Sequence, residues 1–469
     1  MKFKPSYPWY RALYKNFYWF SFTLQSQVLT VLLLPMLIDQ FQPEQRGSLL
    51  GIARLAAILA AVIAQALAVG LSETFNAGRN PRRTVFLAGN ILQILLLGGA
   101  SYADWSNQPV PLGWILAGYV LLNSAAAFAH SAIQNAALSP ADGTQRAFFA
   151  ASKALLELPL PLLCLALVFG DLLALDRIFP SLVILMLILI AGTICGTAAL
   201  SATQDTRPSI TNFSWQPFVK LTGLTGLTVL IILLSGIALQ FASAVSAGVY
   251  LAMICALILT SGVLSTAIVF RSAFSAELRP SLPLRAWLTN RMIFFAASAN
   301  VVTFLMFDLR DRLGFPSTPA AAPAAGWALL VMGVFLMLTT LPANWLIRQF
   351  GKKKLIATAT IMAAAGMSLW LRSSALAEIY LAIGLAGGGI GLFYAASWAT
   401  GMEIIPSEQI PPLLNNLNLL GAASAAAGVY LSGLAVNRLG NEAPLVIFIA
   451  LMLLSLAPIP WMRKKLPAR

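Results

Sequence analysis

Apolar runs of about 18–26 residues recur from one end of this chain to the other, and each is long enough to cross a bilayer as a helix. In hydrocarbon, backbone N–H and C=O groups must be satisfied within the segment, so such runs fold as helices. Composition supports this. Charged residues make up 10% of the chain and hydrophobic ones 59%, whereas a soluble chain carries roughly a quarter charged residues. The chain reads as an all-α polytopic membrane protein.

The runs fall at 17–39, 47–70, 84–101, 112–136, 148–170 and 179–202, then at 221–243 and 246–270. Six more follow at 292–309, 326–347, 355–374, 378–402, 413–436 and 443–462, about fourteen spans in all. The first, 17–38 at its apolar core, is too long for a signal peptide and lacks a small-residue cleavage site, so it is expected to be retained.

The formal net charge of +14 would suit nucleic acid if the charges shared one surface. Their positions argue against that partner. Basic residues gather at the amino end (Lys2, Lys4, Arg11, Lys15) and in loops: Arg79, Arg82, Arg83; Arg271, Arg279, Arg285, Arg291; Arg348, Lys352, Lys353, Lys354. They return as Arg463, Lys464, Lys465 and Arg469. With the amino end inside, all these clusters face the cytoplasm, as the positive-inside bias requires. The other side receives only Arg46, Arg177, Arg310, Arg312, Arg372 and Arg438. This predicts a multi-pass protein of the cytoplasmic (inner) membrane with both termini cytoplasmic and basic loops against anionic lipid.

The order of spans carries a weak internal symmetry. Residues 1–205 form one set of six, 206–290 a linker holding two extra spans, and 291–469 a second set of six. "SETFNAGRNPRRT" (72–84) and "NWLIRQFGKKKL" (344–355) each place a glycine before a basic run between the second and third spans of a half. Parallel six-helix repeats are the build of a large class of secondary transporter.

Three stretches carry a family resemblance. They are "QNAALSPADGTQRAFFAASKALLEL" (134–158), "NRMIFFAASANVVTFLMFDLRDRLG" (290–314) and "EIIPSEQIPPLLNNLNLLGAASAAAG" (403–428). On them the chain resembles the major facilitator superfamily, and within it bacterial proteins related to glycoside–pentoside–cation and sucrose–proton symporters. The resemblance implies two six-helix bundles, here with an inserted two-helix hairpin, and a monomer working by alternating access without a cofactor. It favours a sugar or glycoside as substrate. The family's loop motif, Gly-x-Leu-Ala-Asp-Arg-x-Gly-Arg-Arg, is half present: Glu73 stands for the aspartate and Val69 for the first glycine. In the second half Arg348 replaces the acidic residue and Asn344 the glycine. By resemblance, Glu73, Arg79, Arg82, Arg83, Arg348, Gly351 and Lys352 belong to cytoplasmic gate loops, and Arg348 departs from the charge relay that such a loop uses.

Enzyme signatures are absent. His130 is the only histidine, which excludes a two-histidine metal site, and Cys164, Cys195 and Cys255 lack metal-ligand spacing. No phosphate-binding loop points to ATP as an energy source. Ionisable groups inside spans are costly and mark sites by default. Glu157 lies about 13 Å into its span at 1.5 Å per residue, with Lys153 one turn earlier on the same face. Two readings stay open: an ion pair that locks the helix, or a carboxylate binding a proton or hydroxyl and tuned by Lys153. Pro159 and Pro161 kink the helix nearby. Arg54, His130, Gln134, Asn135, Asn300 and Asn415 complete the candidate lining, each equally able to bond helix to helix. Asp308 is expected to be structural. The function expected is secondary transport of a small organic solute, proton- or sodium-coupled through Glu157. Efflux of amphipathic compounds and a non-transporting assembly or pigment-delivery role are the alternatives.

Overall fold

A computed structural model describes residues 9–74, 80–134, 143–201, 215–242, 245–273, 281–404 and 410–462. They are helical throughout, with no strand among them. Twelve of the described helices are long and apolar enough to span a membrane. In chain order the helices are α1 (Tyr10–Phe41), α2 (Arg46–Thr74), α3 (Pro81–Trp105), α4 (Leu112–Gln134), α5 (Gly143–Glu157), α6 (Pro159–Cys164) and α7 (Ile178–Ser201). Then come α8 (Trp215–Gln240), α9 (Ala247–Ala273), α10 (Leu282–Ser298), α11 (Leu305–Leu313), α12 (Ala322–Thr340) and α13 (Ala343–Phe350). The last four are α14 (Lys352–Arg372), α15 (Leu376–Ile404), α16 (Ile410–Leu439) and α17 (Ala443–Leu454).

Two of the expected spans are not among these twelve. The run at 292–309 belongs to a helix that starts earlier, at Leu282, and breaks over 299–304 before α11. Ser281 caps it, its hydroxyl accepting from the Leu284 N–H at 3.4 Å, and Pro283 sits in the first turn, where its missing N–H costs nothing. Arg285 and Arg291, read as loop residues, therefore lie on a helix. The run at 443–462 is a shorter helix, α17, followed by a single 3₁₀ turn at Ile459–Met462.

The chain divides into two compact units. The first comprises residues 1–36, 60–222 and 319–326. Here α1 packs on α5 and α7, and α3 on α4 and α7. Tyr18, Trp19, Phe86, Ile133, Phe149 and Leu200 form a buried cluster among them. Asn16 ties α1 to α5, donating to the Phe149 carbonyl at 3.1 Å and to Ser152 Oγ at 2.9 Å.

The second unit comprises residues 37–59, 223–318 and 327–469. The glycine-rich stretch of α15 packs backbone to backbone on α14: a Cβ on Gly389 would overlap the Ala363 amide, and one on Gly366 the Ala386 amide. Small residues there serve close helix packing. Arg438, at the end of α16, donates to the carbonyls of Ala242 and Val245 at 2.8 and 2.7 Å and lies 4.2 Å from the Tyr250 ring. Ala242 and Val245 lie just past α8 and just before α9, so one arginine fastens the adjoining ends of these two helices to α16.

Candidate functional site

In the first unit the charged pair of the apolar fifth span is present. Lys153 Nζ lies 3.8 Å from Glu157 Oε2, with 35% and 44% of the two side chains exposed. That is a loose pair, worth about 0–1 kcal/mol at such exposure. Lys153 also rests 3.6 Å above the Trp19 ring. A cation over an indole face is held by the ring quadrupole without using its N–H donors in plane. Neither contact saturates either charge.

Glu157 is the last residue of α5. The helix starts at Gly143, five residues before the expected 148, and stops where Leu158 leaves helical geometry at φ −124°, ψ −72°. Pro159 and Pro161 have no N–H to offer the carbonyls of Leu155 and Glu157. The acid therefore sits beside backbone acceptors that lack their usual helical donors, inside an otherwise apolar span.

His130 is clamped between aromatic rings, 4.3 Å from Phe22 (interplanar angle 28°) and 4.8 Å from Trp19 (89°). Its Nδ1 is buried with no hydrogen-bond partner among the described residues. Trp19 thus touches both His130 and Lys153, and the structure joins these two candidates through its ring. Gln134 is exposed at the end of α4; Asn135 lies outside the described residues. Gln25, on α1, is 2% exposed, and neither its amide nitrogen nor its oxygen finds a partner among the described residues.

The other candidates separate. Arg54 is half-buried in the part of α2 that belongs to the second unit. Asn300 is fully buried where α10 breaks, donating to Ala296 O at 3.0 Å and Ala425 O at 2.8 Å. It bonds helix to helix. Asn415 lies on α16 and Glu73 on α2, their side chains outside the described set, and Arg79 lies wholly outside it. Arg82 is half-buried and Arg83 exposed at the start of α3, which Asn80 caps. Gly351 joins α13 to α14 at φ 81°, a conformation that favours glycine. Arg348 is exposed in the last turn of α13, while Lys352 forms an ion pair with Glu403 of α15. The second-half loop thus draws its acidic partner from α15.

Two further groups lie in the second unit, one around Asp308, which was expected to be structural, and one that escaped the sequence reading. Asp308 is 3% exposed and receives Arg312 at 2.9–3.3 Å and Trp370 Nε1 at 2.8 Å, while Arg312 also donates to Leu371 O at 2.9 Å. Beside them, Asp39 accepts from Arg46, Arg310 and Thr318, and Asp311 accepts from Arg46, Arg310 and Asn441. Burial pushes the Asp311 carboxyl up, but hydrogen bonds from Arg46 and Arg310 outweigh that and hold it below the usual range. Two of the six arginines read as scattered, Arg46 and Arg310, are bound into a shared acid–base network.

Arg291 is different. Its guanidinium carbon stands 4.7 Å from the Phe295 ring, 5.3 Å from Trp398 and 5.8 Å from Trp287. Ring faces hold the charge but accept none of its five N–H donors in plane. Nη1 is buried with no acceptor among the described residues. An unpaired buried donor costs about 1–3 kcal/mol. Tyr394 stacks 5.0 Å from Phe295, and its hydroxyl is 3.0 Å from Ser298 Oγ.

No protein-family model matches the sequence, nor does any curated protein. Solved structures do match in fold. A POT family transporter in complex with a thioalcohol-conjugated peptide aligns with TM-score 0.65 at 14% identity, over 96% of this chain and 94% of that one. The nucleoside transporter NupG aligns at 0.57 and 12%, over 97% and 100%. The human organic anion transporter MFSD10 (TETRAN) aligns at 0.52 and 15%, over 97% and 100%. At such identities the likeness is one of fold: this chain is a multi-pass, all-α membrane protein with the major-facilitator-type fold found in solved transporters of several solute classes.

Proposed function

We propose that the chain is a secondary active transporter of the cytoplasmic membrane, both termini cytoplasmic, moving a small organic solute by alternating access. One observation carries this reading beyond the fold: the half-open Lys153–Glu157 pair at a proline break in an apolar span. A pair meant only to lock a helix gains from being close and sealed; this one is neither. Glu157 takes the coupling proton or sodium ion, and Lys153, held over Trp19, stands one turn away as its counter-charge. Gln25, buried with both amide atoms unpartnered, suits a solute hydroxyl and keeps the sugar or glycoside implied by resemblance in view.

The test is flux in proteoliposomes holding the purified chain, with an imposed proton or sodium gradient and a panel of labelled disaccharides, glycosides and aromatic acids. At least one solute accumulates above equilibrium and ceases to do so when the gradient is collapsed. Binding without gradient-dependent flux across the panel contradicts transport and favours the assembly role.

A further inference from the structure

We infer that Arg291, with Phe295, Tyr394 and Trp398, forms a binding site in the second unit for the anionic head of an aromatic organic acid. The inference rests on the transporter reading only in treating that acid as a substrate; the binding itself stands apart.

The argument begins with what the site lacks. Every other buried or half-buried arginine for which contacts are described above, whether Arg46, Arg310, Arg312 or Arg438, hands its donors to carboxylates or carbonyls. Arg291 meets three rings and no acceptor among the described residues, and Nη1 is sealed from water. An ion this desolvated needs a counter-ion, and a planar guanidinium matches a carboxylate or related oxyanion through two parallel N–H···O bonds.

The walls then select the body of the ligand. Trp398 is 38% exposed, and Phe295 and Tyr394 are half-buried, so the rings present open area beside the charge. Tyr394 and Ser298, bonded to each other at 3.0 Å, add hydroxyls that can turn toward an oxyanion. Aromatic walls with one convergent cation are the lining of a site for a flat apolar anion. A lipid phosphate offers similar head chemistry. The faces of Phe295, Tyr394 and Trp398 give a flat aromatic anion stacking area that a lipid phosphodiester does not use, which favours the free acid.

Isothermal titration with naphthalene-2-carboxylate, using naphthalene-2-carboxamide as its neutral match, tests this on the full chain in detergent. The carboxylate binds saturably and the amide at least tenfold more weakly. Arg291→Gln weakens carboxylate binding about 10- to 100-fold, the worth of a charge-assisted pair. Arg285→Gln, an exposed arginine on the same helix, leaves binding unchanged. If Arg291→Gln does not fold, the acid–amide comparison on the unaltered chain still decides. Equal binding of acid and amide, undiminished binding by Arg291→Gln, or no saturable binding to the folded chain overturns the proposal. In nanodiscs, affinity for the carboxylate is the same in phosphatidylcholine and phosphatidylglycerol; its loss in phosphatidylglycerol alone assigns the site to lipid and also overturns it. Gradient-driven flux of sugars with no Arg291-dependent binding removes this site and leaves the transporter reading intact. Carboxylate binding by a protein that moves no solute does the reverse.

Discussion

Arg312 and Arg291 lie on consecutive helices of one compact unit, and their surroundings differ in kind. Arg312 is clasped by Asp308, bonded to a backbone carbonyl and braced through Trp370. Arg291 has aromatic faces and an idle Nη1. The first arrangement spends every donor on the protein, so it holds the fold. The second leaves donors unspent, which a fold does not gain from and a ligand does. Lys153 and Glu157, in the other unit, fall on the Arg291 side of this divide.

The comparison breaks most severely at Asp308. Asp308→Asn takes from Arg312 its buried charge partner, the two side chains being 4% and 11% exposed, and leaves only the exposed Glu442 at 3.5 Å; removing one member of a buried pair costs about 3–5 kcal/mol. Thermal unfolding in detergent reads this as the largest fall in midpoint among single charge substitutions; a change within scatter would place the pair in water. Arg291→Gln sharpens the contrast from the other side. It forfeits ring contacts worth about 0.5–2 kcal/mol but relieves an unpaired donor, so its midpoint shifts by less than a third of that for Asp308→Asn. A larger loss would make Arg291 structural. Lys153→Met is smaller again, within about 1 kcal/mol, because the pair it breaks is half-exposed.

Acid gives the smallest effect. Asp311 titrates lower folded than unfolded, so its contribution is fully present above the ordinary carboxylate pKa of about 4 and is lost as pH falls through the lower folded value. The unfolding midpoint should be insensitive to this group from pH 8 to about 5 and drop only in stronger acid, and Asp311→Asn should flatten that drop. A loss already present at neutral pH would contradict the network.

Helix after helix was legible because each run had to be apolar and long to meet lipid. Glu157, Lys153 and the two prolines were legible for the complementary reason: charges and proline stand out where the background is Leu and Ala. Arg291 was not, because a basic residue near an apolar run reads as a topological loop charge; the signal that would have moved it inside was Ser281-Leu282-Pro283, a cap followed by a first-turn proline. The Asp39–Arg310–Arg46–Asp311 network was hidden for a different reason. Its members are as much as 272 residues apart, and nothing local marks acid and base as partners. Trp19, one of several aromatic residues in the first span, is 4% exposed against His130 and Lys153, contacts that nothing in its local sequence marks.

The central claim is that Glu157 couples a gradient to solute movement. The most direct measurement compares unaltered chain and Glu157→Gln in proteoliposomes, using whichever solute accumulates, under an imposed gradient and in counterflow without one. Loss of gradient-driven accumulation with counterflow retained is the predicted result. Gradient-driven accumulation undiminished in Glu157→Gln would remove that carboxylate from the mechanism.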